Sequence, residues 1–427
     1  MSKFSKPMKK SIAVILSVLM LFPFLFSGAF AANLIDEALL YPDGMVTEEK
    51  YYTVTKGVTE KYVVLNNTSK DNQIKNYIYE VDLKNEDLSI VAGYNKCDGN
   101  PTDFGMLTLP EQVNYAESNR GTHVVAAVNG GCYNTRTGEP EGLLIMDRKM
   151  LHDYAENAKD GLDSFFAILN DGTAVIRRPG DRTDDVKEAI SGKYHLVENG
   201  IFLNVSDNAV HPRTAVGIKA DGTVVFMVSD GRQSPDSCGM TLPQQAYTMM
   251  ALGCVDVLSL DGGGSSTMMT QREALSATSI RNTPCYGFAR PIATSLMVCT
   301  SAKPTNEFDH LAFNEAAYFV YPLHSVSVKY AGCDENGFKA NVPAGKLVVE
   351  DEAYGTLIGS TFYAKEKEGT VNINYVVNGE VVDSVSVTIT KDADSFIETG
   401  MKNYIRMIGN LIDMFLFLIK KLTSLFA

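Results

Sequence analysis

The chain has 427 residues, room for about two or three domains, and 45% hydrophobic content, as expected of a globular protein with buried cores. A net charge of −13 argues against a nucleic-acid partner, which would require a basic face. Seven cysteines occur without CxxC spacing and the six histidines show no ligand pairing, so neither a metal site nor a cofactor is expected.

Lys3, Lys6, Lys9 and Lys10 precede an apolar run from Ile12 to Phe26, and Ala29-Phe30-Ala31 supplies small residues for cleavage. Residues 1–31 therefore read as a secretory signal peptide, with an uncleaved anchor as the alternative. The expected location is secreted or at the extracellular face of the cell envelope. Residues 32–74 read as a loosely ordered lead-in. Tyr77, Tyr79, Val81 and Leu83 then alternate with polar neighbours, as do Leu88, Ile90 and Ala92, which suggests a hairpin.

Thr108 with Glu111, and Thr241 with Gln244, have the spacing of capping boxes, each opening a helix. Each helix leads into an apolar strand that ends in an acid or amide and glycines. The first, Val124 to Val128, runs into Asn129-Gly130-Gly131; the second, Val255 to Leu260, into Asp261-Gly262-Gly263-Gly264-Ser265-Ser266-Thr267. Internal duplication and two independent solutions to one helix-to-strand problem both fit this rhyme. Either way, Asn129 and Asp261 are expected at comparable strand ends of one mixed sheet, where open α/β folds keep their sites. FFAILNDGTAVI from Phe165 and TAVGIKADGTVVFMV from Thr214 have Asp-Gly turns and predict hairpins.

Glycines after a strand let the backbone turn tightly and present amides to an anion, and the following hydroxyls add donors. Around this loop the sequence offers Glu141, Arg213, Asp230, Arg232 and Arg290. After the linker Lys303-Pro304-Thr305, short alternating strands predict an all-β, immunoglobulin-like module over 303–392. In residues 393–427, Ile405, Ile408, Ile412, Phe415 and Ile419 recur at alternating spacings of three and four, with Lys402, Arg406, Lys420 and Lys421 off that seam. This predicts an amphipathic helix for a membrane surface or self-association, with docking on the protein's own surface as the bland alternative.

Asn129-Gly130-Gly131, Pro140-Glu141-Gly142-Leu143, Arg213 to Gly217, Asp230-Gly231-Arg232, Asp261 to Met268 and Arg290-Pro291-Ile292-Ala293 together resemble the phosphodiester glycosidase family. The resemblance covers roughly residues 75 to 300. One departure is Cys132, where the family usually has an aromatic residue after Asn-Gly-Gly. The resemblance implies a glycosidase domain over 75–302, in an α+β or mixed α/β fold, acting on a sugar-1-phosphodiester in a glycan or cell-surface polymer. A non-catalytic sugar-phosphate or wall-polymer binder is the competing class. The implied catalytic carboxylates are Asp261, Asp230 and Glu141; the implied substrate-binding residues are Asn129, Gly130, Arg213, Arg232, Gly262, Gly263, Gly264, Ser265, Ser266 and Arg290.

Overall fold

The computed structural model describes residues 44–67, 72–94, 104–154, 164–205 and 207–391. The signal-peptide reading of residues 1–31 and the tail helix of 393–427 lie outside these residues. No described helix is long and apolar enough to cross a membrane.

The fold class corrects the expectation of an α+β or mixed α/β domain. Up to residue 300 the described chain is mostly β, built from an eight-stranded and two five-stranded sheets. Every strand pairing within these sheets is antiparallel. Only two α-helices are described, α1 (Leu109–Arg120) and α2 (Leu242–Ala251). Both open with the capping boxes read from sequence: Thr108 with Glu111, and Thr241 with Gln244.

The eight-stranded sheet runs in the order Gly44–Thr55, Val58–Asn67, Asn72–Val81, Val224–Ser229, Arg213–Lys219, Cys254–Ser259, Tyr194–Glu198, Ile201–Phe202. Residues 44–67 are therefore two strands rather than a loose lead-in. Charged residues of this stretch are tied into the fold by ion pairs. Glu60, 1% exposed, faces Arg272 at 2.5 Å and Arg281 at 3.4 Å. Beside it, buried Glu80 pairs with Lys61 at 2.6 Å and Lys219 at 2.9 Å.

The expected hairpin between Tyr77 and Ala92 also does not form. Asn72–Val81 pairs with Val224–Ser229, whereas Leu88–Tyr94 pairs with Thr294–Thr300 in a five-stranded sheet that also holds His123–Asn129. Each strand instead pairs with a distant one and buries its apolar residues in the shared core. The two Asp-Gly hairpins are present, Phe165–Leu169 with Ala174–Arg177 and Arg213–Lys219 with Val224–Ser229.

One core unites all three sheets. Tyr79, Val216, Phe226 and Leu258 from the large sheet meet Ile90, Ala126, Val128 and Val298, and also Leu144, Phe166 and Ile190 from the remaining five-stranded sheet. The other face of the His123–Asn129 strand carries Val124 and Ala127 against Leu109, Val113 and Ala116 of α1. A register irregularity between Val298 and Cys299, opposite Val124 and Ala126, changes the alternation there, so Val125 and Ala126 both join the central core.

Beyond the linker, strands between His310 and Ile389 form three further small sheets around their own core of Tyr318, Val328, Phe362, Ile373 and Val387. No disulfide joins the six described cysteines, and packing and ion pairs hold the described residues together. Removing one partner of a buried ion cluster strands the others, so Glu60→Ala should lower unfolding free energy by about 3–5 kcal/mol. Equilibrium denaturation measures this, and a change within error would make the cluster incidental.

Candidate active site

The strands His123–Asn129 and Cys254–Ser259 belong to different sheets, so Asn129 and Asp261 do not sit on one mixed sheet. Their ends nonetheless meet. The Asp261 amide donates to the Gly130 carbonyl at 3.1 Å, and the Gly130 amide donates to the Thr294 carbonyl at 2.8 Å. The Asn129 side chain, 1% exposed, completes the joint. Its Nδ2 donates to the Asp261 carbonyl at 2.7 Å, while its Oδ1 accepts from Thr214 Oγ1 at 2.8 Å and the Thr267 amide at 3.1 Å. Asn129 thus positions the site through backbone. Gly131 is required by close approach, because a Cβ there would lie 2.1 Å from the Ser191 carbonyl oxygen.

Asp261 presents its carboxylate at the mouth of this joint, with the side chain 19% exposed. Oδ1 accepts from the Gly262 amide at 2.9 Å, and Oδ2 lies 3.3 Å from Arg290 Nη2. Arg290 also donates through Nε and Nη2 to Ser265 Oγ, at 3.0 and 2.6 Å, and its guanidinium stands 5.7 Å from the centre of the Tyr133 ring. Burial raises the Asp261 carboxyl above its ordinary value, opposed by Ser265, Arg290, the Gly262 amide and the charge of Lys193. Cys132 Sγ, 3.8 Å from Asp261 Oδ1, is pushed up to about 12, first by burial and then by Asp261. Both causes favour the neutral thiol over the thiolate.

The glycine loop is bonded largely within the protein. Gly263 adopts φ 63°, and Gly263–Ser265 makes one short 3₁₀ turn. The amides turn inward: Gly263 donates to Pro212, Ser265 to Gly262 and Ser266 to Gly263. The hydroxyls are likewise engaged, Ser265 by Arg290 and Ser266 by Thr214. The cations at this face are side chains. Exposed Arg232 packs its guanidinium over Gly263, where an added Cβ would stand 3.2 Å from Nη2, and that nitrogen lies 3.2 Å from His211 Nδ1. Exposed Lys193 acts electrostatically on Asp261, Cys132 and His211.

The remaining candidates separate by exposure. Asp230 is 1% exposed, with Oδ1 accepting from Asn282 Nδ2 and Oδ2 from the Thr283 amide, both at 2.9 Å. Burial lifts its carboxyl to about 6. Since Asn282 also donates to the Ser266 carbonyl, Asp230 buttresses the loop from behind. Arg213 is buried as well, with Nε on the Met240 carbonyl and Nη2 shared by Ala209 and Asp207. Glu141 is exposed, and its amide donates to the Cys132 carbonyl at 2.9 Å. Its charge contributes to the Cys132 shift, which places it among the groups around Asp261. Sequence reading missed Lys193 and His211. His211 adjoins the quoted Arg213 motif, but Lys193 has no motif to mark it.

The sequence profile of the phosphodiester glycosidase family matches residues 122–299. An SPbeta prophage-derived uncharacterized protein of Bacillus subtilis is 28% identical over 244 residues, covering 52% of this chain and 35% of that protein. Human N-acetylglucosamine-1-phosphodiester alpha-N-acetylglucosaminidase is 27% identical over 177 residues, 36% of this chain and 33% of that enzyme. The chain thus spans about a third of the length of these curated relatives. Among solved structures, the pro-peptide-inhibited catalytic domain of the zebrafish enzyme of that name matches with TM-score 0.46 and 20% identity, over 61% of this chain and 89% of that one.

Replacing Asn129 by Ala would leave the buried Thr267 amide and Asp261 carbonyl without these partners, each such loss costing about 1–3 kcal/mol. Asn129→Ala should therefore lower both thermal midpoint and any activity of the site. An unchanged midpoint would deny Asn129 its joining role.

Proposed function

We infer, from a chain that carries a phosphodiester glycosidase domain at residues 122–299, that it hydrolyses the bond between the anomeric carbon of a sugar and a phosphodiester oxygen. The observation that carries this reading is the partly exposed Asp261 carboxylate held 3.3 Å from Arg290 and within the influence of Lys193. A carboxylate beside fixed cations suits a reaction in which positive charge develops at the sugar while a phosphate departs.

In this reading Asp261, ionised, attacks the anomeric carbon or stabilises the oxocarbenium-like transition state. Arg290, Arg232 and Lys193 receive the phosphate. A phosphate monoester is a good leaving group, so little proton donation is needed, and exposed Glu141 is the carboxylate free to handle the attacking water. Asp230 and Arg213 act as positioning residues that hold the glycine loop and its flanking segment. We further propose an N-acetylglucosamine-phosphate-like substrate within a glycan or cell-surface polymer, met outside the cell. The human relative's printed name supports that substrate class.

Hydrolysis of a sugar-1-phosphodiester in ¹⁸O-labelled water discriminates the bond cleaved. Label in the sugar and none in the phosphate is expected; label in the phosphate would mean P–O cleavage, and no turnover would favour a binder. Asp261→Asn should abolish turnover with little change in thermal midpoint. Arg290→Ala should cost on the order of 2–5 kcal/mol of transition-state stabilisation.

The pH profile gives an independent check. The ionised Asp261 carboxylate is the active form and burial raises its folded pKa, so kcat/KM should fall on acidification at a pH above the usual carboxylate value of about 3.9. Arg290 pulls that pKa down, so residual activity of Arg290→Ala should show the acid limb displaced to higher pH. A displacement to lower pH would contradict the assignment.

A further inference from the structure

Away from this site, three donors of different chemistry converge where the main domain meets the C-terminal module. Glu273 follows the Met268–Thr270 strand, while His310 and Cys333 face each other as a register pair between the antiparallel strands His310–Phe313 and Tyr330–Cys333. One carboxylate oxygen, one imidazole nitrogen and the thiol sulfur all lie within 4.8 Å of one another. His310 Nε2 stands 3.2 Å from Glu273 Oε1.

We propose that Glu273, His310 and Cys333 bind a divalent transition metal of the zinc class, clamping the C-terminal module to the main domain. The donor set is the first argument. Thiolate, imidazole and carboxylate together suit zinc and cobalt, whereas magnesium and calcium favour oxygen alone. Tetrahedral zinc, with bonds of about 2.0–2.3 Å, sets neighbouring donors roughly 3.3–3.8 Å apart, so the observed spacing needs only a small side-chain contraction.

The surroundings are the second argument. Asp309 Oδ2 lies 2.9 Å from His310 Nδ1, the other ring nitrogen, forming the carboxylate–histidine arrangement that orients metal-binding imidazoles. The Asp309 amide also donates to the Cys333 carbonyl at 2.8 Å, fixing both ligand-bearing strands. Glu273 is held from the domain side, its amide donating to the Thr53 carbonyl at 3.2 Å, and from the module side a Cβ added to Gly337 would stand 3.2 Å from its Cγ. Access follows from exposure: the side chain of His310 is 32% exposed and that of Glu273 12%, while Cys333 is fully buried. The three protein ligands leave the fourth tetrahedral position for water at the His310 edge.

Cobalt(II) titration of the whole chain, followed by optical absorption, tests this directly because a thiolate ligand produces a charge-transfer band. About one cobalt per chain with that band is expected, displaced by zinc, together with a zinc-dependent rise in thermal midpoint that a chelator reverses. Cys333→Ser should abolish the band. Asp309→Asn should retain it while weakening affinity by about 10–100-fold. Should Cys333→Ser fail to fold, Glu273→Gln on the partly exposed wall should weaken binding while preserving the band. Absence of the band in the native chain, its survival in Cys333→Ser, or affinities unaltered in both Glu273→Gln and Asp309→Asn would each overturn the proposal.

Discussion

The candidate site depends on one buried amide. Asn129 ends a strand of one sheet, and its side chain bonds to Thr214 of another sheet and to the backbone on both flanks of the glycine loop, at Asp261 and Thr267. Asparagine is suited to this role because it carries donor and acceptor at a short, fixed separation. Aspartate would lack the donor, and glutamine would place both groups one carbon further out. The alignment of two sheets and the position of the Asp261 carboxylate are therefore set by the same group.

That joint also bears on how the glycine loop is held. Asn129 and Pro212 draw the backbone in, the amides of Gly263, Ser265 and Ser266 bond within the protein, and the Ser265 and Ser266 hydroxyls satisfy neighbouring groups. Positive charge at the surface then comes from Arg290, Arg232 and Lys193, side chains that can adapt to a substrate. The carboxylates divide in the same way. Asp230 has both oxygens bonded in the interior, whereas Asp261 keeps part of its surface exposed.

Much of the local structure was legible in the sequence. Capping boxes, Asp-Gly hairpins and the glycine loop after Asp261 each depend on neighbouring residues, and the structure forms all of them. The fold class was not legible, for a physical reason. Continuous apolar runs such as Val124–Val128 look like strands covered by helices on both faces. Here much of that cover comes from other sheets, with α1 on one face only, and a run of residues does not reveal what buries it. The Glu60 and Glu80 clusters had no signal in the sequence, since each draws partners from distant segments. Glu273, His310 and Cys333 had no diagnostic spacing because tertiary pairing brings them together. Within the site, the family motifs pointed to Asp261 and Arg290, while Lys193 stood outside every motif.

The pairing of Leu88–Tyr94 with Thr294–Thr300 has a consequence for how the chain is made. An early strand of the main domain has its partner in the last, and Asn72–Val81 waits similarly for Val224–Ser229. Neither contact can close until its distant partner strand has been synthesised. Such long sequence separations slow folding and leave apolar strand edges without partners during synthesis. The interval before residue 300 emerges is therefore when the nascent chain is most exposed to aggregation and has most need of a holding chaperone.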